Sequence, residues 1–197
     1  MTTEIRRVEK GLAALAFAVL LQAPRPAESA DRWARAASFV DDQSASTPPA
    51  GAAPTLRLVP LTGVALVLGT SDLERLPRQT VRVAYPAGTN HQTSLAEISG
   101  FPLRALLDRL GVPAGHDIRG DALQLYVVAE GVDGYRAVLA LAELDPTFSD
   151  SPVLVADRRD GQPLAGTEGP LRLIVVGDKR PARWVRQLVR IGVHRAP

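Results

Sequence analysis

Short apolar segments that alternate with polar residues recur along the chain from Leu56 to Val193, and many of them end at Gly or Pro. Side chains on a β-strand point to opposite faces in turn, so this alternation is typical of strands with one buried face. The pattern predicts two short strands around a turn at 60–63 and further strands at 80–85, 94–98, 123–130, 135–139, 153–157, 171–176 and 184–193. An Arg159-Asp160-Gly161 segment predicts a tight hairpin turn.

Only one segment has a strong helical period. Residues 101–110 place four leucines on one stripe, and Gly111 is a natural residue to follow the last turn. The stripe consists of Leu103, Leu106, Leu107 and Leu110. A capping box of Ser71 with Glu74 predicts a second, very short helix that Pro77 ends. The sum is an α+β fold, mainly β, over residues 55–197.

The N-terminal region has a different composition. Basic residues precede an uninterrupted apolar run at 11–21, which is shorter than the roughly 20 residues that cross a bilayer. This pattern predicts a signal peptide at 1–29, cleaved after Ser29, and a flexible Ala-, Ser- and Pro-rich linker at 30–54. The expected location is therefore periplasmic or otherwise exported, with no stable membrane span after cleavage. The alternative is an uncleaved membrane anchor.

Composition excludes several classes of site. The chain contains no cysteine, which excludes disulfides, zinc thiolates and a cysteine nucleophile. The formal net charge of +2 gives no indication of nucleic-acid binding. No Gly-x-Ser-x-Gly, phosphate-binding loop or dinucleotide fingerprint occurs, and the spacing of the three histidines fits no local metal motif. The residues alone therefore predict neither a metal site nor a catalytic centre.

A basic stretch at 177–193 is the best candidate for a binding site. It carries five basic side chains against one acid: Lys179, Arg180, Arg183, Arg186 and Arg190 against Asp178. Guanidinium groups and turn N–H groups match the geometry of phosphate. For Lys179, Arg180 and Arg183, in the loop, anion binding and simple exposure to solvent both stay open. Arg186 and Arg190 alternate with Val185 and Val189 and are assigned to the solvent face of the last strand.

Four segments in this order resemble the molybdopterin-binding domain of the sulfite oxidase family. They are SGFPLRALLDRLGVP (99–113), DGYRAVLALAEL (133–144), PVLVADRRDGQPL (152–164) and GPLRLIVVGDKRPARWVRQLVRIGV (169–193). The resemblance implies the mixed, mainly β fold of that family. It also implies a molybdenum cofactor, molybdopterin, held through a pterin dithiolene with a phosphate tail, and oxygen-atom transfer such as sulfite oxidation.

The resemblance also implies which residues hold the cofactor. The loop after GPLRLIVV carries the family's pterin and phosphate contacts, which correspond here to Gly177, Lys179, Arg180, Arg183 and Trp184. In catalytic members a cysteine about a dozen residues before the Gly-x-Pro-Leu motif ligates the metal. This chain has no cysteine there, and the nearest candidate donors are Asn90 and His91.

These observations predict a short exported domain that binds an anionic pterin or a similar small anion. Whether it is an enzyme stays open, because a thiolate fixes the metal and tunes its potential, and none is available. The alternative is a non-catalytic periplasmic binding or partner module without a cofactor, serving an envelope protein.

Overall fold

The computed structural model describes residues 55–87 and 92–197, and in this part of the chain the mainly β prediction is confirmed. The expected signal peptide (1–29), the expected linker (30–54) and the candidate donors Asn90 and His91 lie outside the described residues. Among the residues that are described, no helix has both the length and the apolar character needed to cross a bilayer.

The described residues contain ten strands and two short α-helices. The strands are β1 (Leu56–Val59), β2 (Leu66–Leu68), β3 (Gln79–Ala87), β4 (Gln92–Pro102), β5 (Leu125–Gly131), β6 (Arg136–Ala140), β7 (Val153–Arg159), β8 (Gln162–Pro163), β9 (Arg172–Val175) and β10 (Leu188–Arg195). The helices are α1 (Thr70–Glu74) and α2 (Leu103–Asp108). Short 3-10 turns lie at Gly115–Asp117, Gly120–Gln124, Ala142–Leu144 and Pro181–Arg183.

The first sheet joins the two ends of the domain. Its strand order is β2-β1-β10-β5-β6, with β1 and β10 parallel and the other pairs antiparallel. Along β5 every second residue is buried, from Leu125 through Val127 to Ala129, as the alternating sequence predicts. One face of this sheet therefore packs on the core and the other faces solvent.

The second sheet has the order β3-β4-β7, and both β8 and β9 pair with the far side of β7. Strand β9 is buried along its whole length, which fits its nearly continuous apolar sequence. Strands β4 and β7 approach closely at Gly100, where a Cβ atom would lie 2.3 Å from the carbonyl oxygen of Val155. The hairpin predicted at Asp160-Gly161 is confirmed, since both residues have positive φ and β7 pairs directly with β8.

Several element ends differ from the sequence prediction, and three of the differences have a clear physical cause. The helix expected from residue 101 begins at Leu103, because Phe101 and Pro102 still pair with β7 as the end of β4. Helix α1 is capped by the Asp72 carboxylate, which accepts a hydrogen bond from the N–H of Gly69, rather than by Ser71.

The third difference concerns the end of the chain. The last strand begins at Leu188 and not at 184, because Pro181–Arg183 form a 3-10 turn and Gln187 has a φ of 45°. The alternating apolar residues at 184–189 therefore belong partly to an irregular segment. This segment still hydrogen-bonds β9, since Leu173 donates to the carbonyl of Val185.

Candidate ligand-binding cleft

A cleft of about 440 Å³ lies beside the irregular segment that precedes β10. Its lining comes from the β5–β6 turn, from the start of β9 and from the β9–β10 connection: Asp133, Tyr135, Glu168, Arg172, Pro181, Trp184 and Arg186. The cleft is thus built from two neighbouring segments, 168–172 and 181–186, and from a turn more than 30 residues earlier, at 133–135. Their charged and aromatic side chains make it suited to a small polar ligand rather than an apolar one.

Arg172 is the buried charge of the cleft. It is 6% exposed, and its Nη1 donates to the Tyr85 hydroxyl and, at 2.9 Å, to Oε1 of Glu168. Its Nε is buried without a hydrogen-bond partner among the described residues. A buried donor left unpaired costs about 1–3 kcal/mol. An acceptor atom on a ligand that reached this donor would remove that cost.

Two aromatic rings enclose the Arg172 guanidinium. The Tyr85 and Trp184 rings have centroids 5.5 Å apart and a 50° interplanar angle. The Arg172 Cζ lies 5.0 Å from the Tyr85 centroid and 5.5 Å from that of Trp184, which are cation–π distances. The Trp184 indole is fixed because its N–H donates to the carbonyl of Val175 at 2.9 Å. The guanidinium is therefore held in place before any ligand arrives.

The charges around Arg172 do not cancel. Glu168 accepts from Arg172 through Oε1 and from Arg159 through Oε2 at 2.8 Å, so one carboxylate faces two guanidinium groups. Burial raises the pKa of the Tyr85 hydroxyl above its ordinary value, although the neighbouring Arg172 acts in the opposite direction. Tyr85 thus stays neutral at neutral pH, and the group keeps a net positive charge that favours an anion.

The residues proposed from the sequence have different surroundings. Arg183 is held by two carboxylates, with contacts of 2.7 and 3.0 Å to Asp178 and of 3.0 and 3.1 Å to Glu143. The hydrogen bond to Asp178 raises the pKa of Arg183, burial opposes it, and Glu143 adds to the rise. Lys179 and Arg180 are exposed and form no ion pair among the described residues.

Of Gly177 and Trp184, the two other residues proposed from the sequence in this loop, only Trp184 lines the cleft. Gly177 lies against Ser151, whose Oγ would be 2.6 Å from a Cβ at this position. The structure therefore brings Trp184 to the cleft and leaves Lys179 and Arg180 on the exposed loop. It places Arg183 inside an ion-pair cluster that holds this loop.

The two arginines that the sequence assigned to the solvent face of the last strand, Arg186 and Arg190, have different surroundings. Arg186 precedes β10 and lines the cleft, so its assignment to that strand is wrong. Arg190 lies in β10 and forms a long ion pair of 3.9 Å with Glu130 on the neighbouring strand. The irregular backbone around Gln187 decides this difference, because the strand begins only at Leu188, after Arg186.

Sequence reasoning missed the cluster of Tyr85, Arg159, Glu168 and Arg172. One signal was present, since Arg172 is the single charge in the apolar run Leu171–Val176. A charge inside a buried strand needs a partner or a function. Its partners lie on other strands and loops, so the spacing along the chain did not reveal them.

The side chains of the cleft suit the organic part of a molybdopterin but not its metal. Flat aromatic rings, a buried guanidinium with an unpaired donor and the nearby Arg186 fit the planar, anionic organic part. For the metal, the chain has no cysteine, and the described residues contain no cluster of three His, Asp or Glu side chains. Asn90 and His91 lie outside those residues, so no protein ligand for the metal is assigned.

Comparison with known proteins gives three similarities. The family described as the oxidoreductase molybdopterin binding domain matches residues 55–197. The chain is 30% identical over 129 residues to a protein named malonyl CoA-acyl carrier protein transacylase from Mycolicibacterium smegmatis, covering 62% of this chain and 42% of that protein. The fold is similar to the sulfane dehydrogenase SoxCD from Paracoccus pantotrophus, with a TM-score of 0.54 and 22% identity, covering 71% of this chain and 38% of that one.

These similarities confirm the predicted sulfite-oxidase-like molybdopterin-binding fold. The chain spans less than half the length of either relative. The match therefore does not show that this chain has the activity of those longer proteins. The solved structure supports the fold alone.

Proposed function

Because the chain belongs to the oxidoreductase molybdopterin binding domain family, we propose that its cleft binds the pterin part of molybdopterin or a similar small anionic ligand. The observation that carries this proposal is Arg172, which lines the cleft and whose guanidinium has a buried Nε without a partner among the described residues. A charge-assisted hydrogen bond to an anionic oxygen would satisfy that donor. The unbalanced positive charge beside Glu168 acts in the same direction.

The other cleft residues have distinct roles in this proposal. Trp184 offers an aromatic ring beside a flat heterocycle, and Tyr135 adds a second ring from the β5–β6 turn. Arg186 supplies a second guanidinium within the cleft, and the exposed Lys179 and Arg180 attract an anion toward it. Molybdopterin, when bound with its metal, supplies redox chemistry that no side chain of this protein can supply.

We propose binding and not catalysis. A thiolate from the protein cannot complete the metal site, since the chain has no cysteine. The transacylase name of the mycobacterial relative is also not carried over, because Gly-x-Ser-x-Gly does not occur here and less than half of that protein is matched. If the cleft holds no cofactor, the domain is a non-catalytic binding or partner module.

We further propose that the domain works outside the cytoplasm, with an envelope protein as partner. The support is the basic N-terminal region followed by the apolar run at 11–21. Mass spectrometry of the mature N-terminus checks this, with cleavage after residue 29 as the expected result. An intact N-terminus would favour a membrane-tethered form.

The binding proposal is tested by producing the full chain in a host that makes molybdopterin, with an equal preparation from a host that does not. Oxidised pterin fluorescence and molybdenum content are measured on the purified protein. We expect close to one pterin per chain from the first host. No pterin there, together with no quenching of tryptophan fluorescence by added pterin phosphate, would establish the cofactor-free alternative.

Variants test which residues bind. Arg172→Gln and Arg186→Gln should each lower pterin occupancy or affinity roughly 10- to 100-fold, because each removes a charge-assisted hydrogen bond of about 1.5–3 kcal/mol. Arg158→Gln is the matched control, since Arg158 is exposed on β7 and does not line the cleft. Circular dichroism of each variant separates lost binding from lost folding. Because Arg186 is exposed, Arg186→Gln still tests the proposal if Arg172→Gln does not fold.

A further inference from the structure

The outer edge of the first sheet carries a concentration of exposed apolar side chains. Four of the ten large apolar side chains that are exposed in the described residues lie within 61–67: Leu61 (42%), Val64 (86%), Leu66 (38%) and Val67 (64%). Strand β2 occupies this edge, and β1 is its one neighbour in the described part of the sheet. We call residues 61–68 the β2 edge.

The β2 edge lacks the usual protection of an exposed strand. Natural edge strands carry charges, prolines or bulges that prevent pairing with another chain. The β2 edge contains no charged residue and no proline, whereas β3, at the edge of the second sheet, carries Arg82 and Pro86. An apolar edge whose outward backbone groups have no partner among the described residues is suited to accept a further strand.

We propose that the β2 edge pairs with the β2 edge of a second copy of this chain, antiparallel about a two-fold axis. Such pairing joins the two first sheets into one continuous sheet. A two-fold axis places a strand against itself in the antiparallel direction, so each free N–H can meet a carbonyl of the mate. The apolar side chains of the two edges then cover one another, which lowers their exposure to water.

The charge distribution favours a second copy as the occupant. A two-fold contact sets like residues near each other, so a charged edge would repel itself, and the β2 edge is uncharged. The nearest charge on the adjacent strand is Arg57, which pairs with Val67 across β1 and β2. Two Arg57 residues would be separated by three strand spacings, about 14 Å, which exceeds the Debye length at physiological salt.

The contact also leaves the candidate cleft open. The cleft takes its lining from the β5–β6 turn and the β9–β10 connection, and β5 and β6 lie at the other side of the sheet from β2. Dimerisation is thus independent of ligand binding. Because the contact involves a short strand and one turn, its area lies at the small end of specific interfaces, and a dissociation constant in the micromolar range is expected.

Sedimentation velocity on the full chain over a range of concentrations tests the proposal. We expect a reversible monomer–dimer equilibrium and a dimer dissociation constant at least about tenfold weaker in Val67→Lys, since a lysine on each edge adds repulsion. Val138→Lys is the matched control, because Val138 is the same residue type on the opposite edge strand of the same sheet and is 56% exposed. It should dimerise like the wild type.

Cross-linking gives a second, independent readout because the chain is free of cysteine. Single variants Ala65→Cys, Leu66→Cys and Val67→Cys sample the β2 edge, and Val138→Cys is the control. Antiparallel self-pairing with its two-fold axis within 65–67 brings one sampled position opposite its mate, within reach of a disulfide. A mild oxidant should therefore yield a covalent dimer from one or more of the three and not from the control.

Several results would overturn the proposal. A wild type that stays monomeric up to about 100 μM, well above the expected dissociation constant, has no such interface. Cross-linking through position 138 alone places the contact on the other edge. Some amides of β2 bond to β1 and are protected in any case. Protection, in a dilute monomer, of the amides of 64–68 that do not bond to β1 would mean that something other than a second copy covers the edge.

Discussion

At the scale of single residues, two buried charged side chains differ in how completely their hydrogen-bonding atoms are paired. Asp145 and Arg172 are the buried charged residues of the described chain. Burial disfavours ionisation of Asp145, but hydrogen bonds from the N–H of Gly115 and from Thr147 outweigh it and leave its pKa below the ordinary value. Asp145 is fully satisfied and ties two loops together, whereas Arg172 lines the cleft and keeps one buried donor unpaired among the described residues.

The C-terminal strand contains a histidine whose titration affects stability. Burial lowers the pKa of His194 below its ordinary 6.5, and the positive charge of Arg190 adds to this effect. The imidazole also stacks on Tyr126, with centroids 5.4 Å apart. Because the unfolded chain binds the proton more tightly, the stability contribution is complete above the unfolded pKa and is lost as pH falls through the folded pKa.

We therefore expect unfolding free energy to decrease as pH falls from 7 to about 5, and His194→Gln to flatten this dependence. Urea unfolding at several pH values measures the effect. His116→Gln, at an exposed histidine in the turn after α2, is the control and should keep the wild-type slope. Equal slopes for wild type and His194→Gln would show that burial of His194 has no energetic weight.

At the scale of elements, the loop between β9 and β10 is held by side-chain contacts more than by regular structure. Arg183 binds Asp178 within the loop and Glu143 outside it, and the Tyr135 hydroxyl donates to the carbonyl of Ala182. The loop supplies Pro181 and Trp184 to the cleft. The conformation of the loop therefore depends on Arg183, a residue for which the sequence predicted a ligand contact.

Arg183→Ala should destabilise the fold by about 1 kcal/mol, since it leaves two carboxylates without their partner while solvent screens a side chain that is more than a third exposed. Hydrogen exchange in 177–184 should accelerate at the same time. Arg180→Ala, on the exposed part of the same loop, should stay within about 0.5 kcal/mol. Unchanged stability and exchange in Arg183→Ala would mean that the ion pairs do not order the loop.

The elements also show where local pattern is sufficient. The Asp160-Gly161 hairpin and the alternation of β5 are local properties, and the structure confirms both. The start of α2 is not local, because Phe101 and Pro102 are recruited into β4 by pairing with β7. An adjacent strand satisfied their backbone groups, and sequence periodicity contains no information about that neighbour.

At the scale of the whole molecule, β10 is central to the first sheet. It pairs with β1 on one side and with β5 on the other, so residues 188–195 connect the first described strand to the middle of the domain. Ile191 and Val193 point into the core with β1 and β5 residues around them. Loss of this strand would expose both neighbours and open the sheet.

Removal of residues 188–197 should therefore abolish cooperative unfolding. Removal of Ala196 and Pro197 alone should cost about 1 kcal/mol, because it deletes one hydrogen bond from Ala196 to Gln124. Thermal unfolding followed by circular dichroism distinguishes the two. A cooperative transition in the longer truncation would mean that the rest of the domain folds without β10.

The sequence by itself determined the strand content, the family resemblance and the absence of a protein thiolate, because these depend on residue identity and local alternation. Through the resemblance it also predicted Trp184 as a cofactor contact, and this residue lines the cleft. Only the tertiary structure paired Arg172 with Tyr85 and Glu168, moved Arg186 into the cleft and enclosed Arg183 between two carboxylates. Those outcomes depend on which distant segments become neighbours, and sheet pairing decides this rather than spacing along the chain.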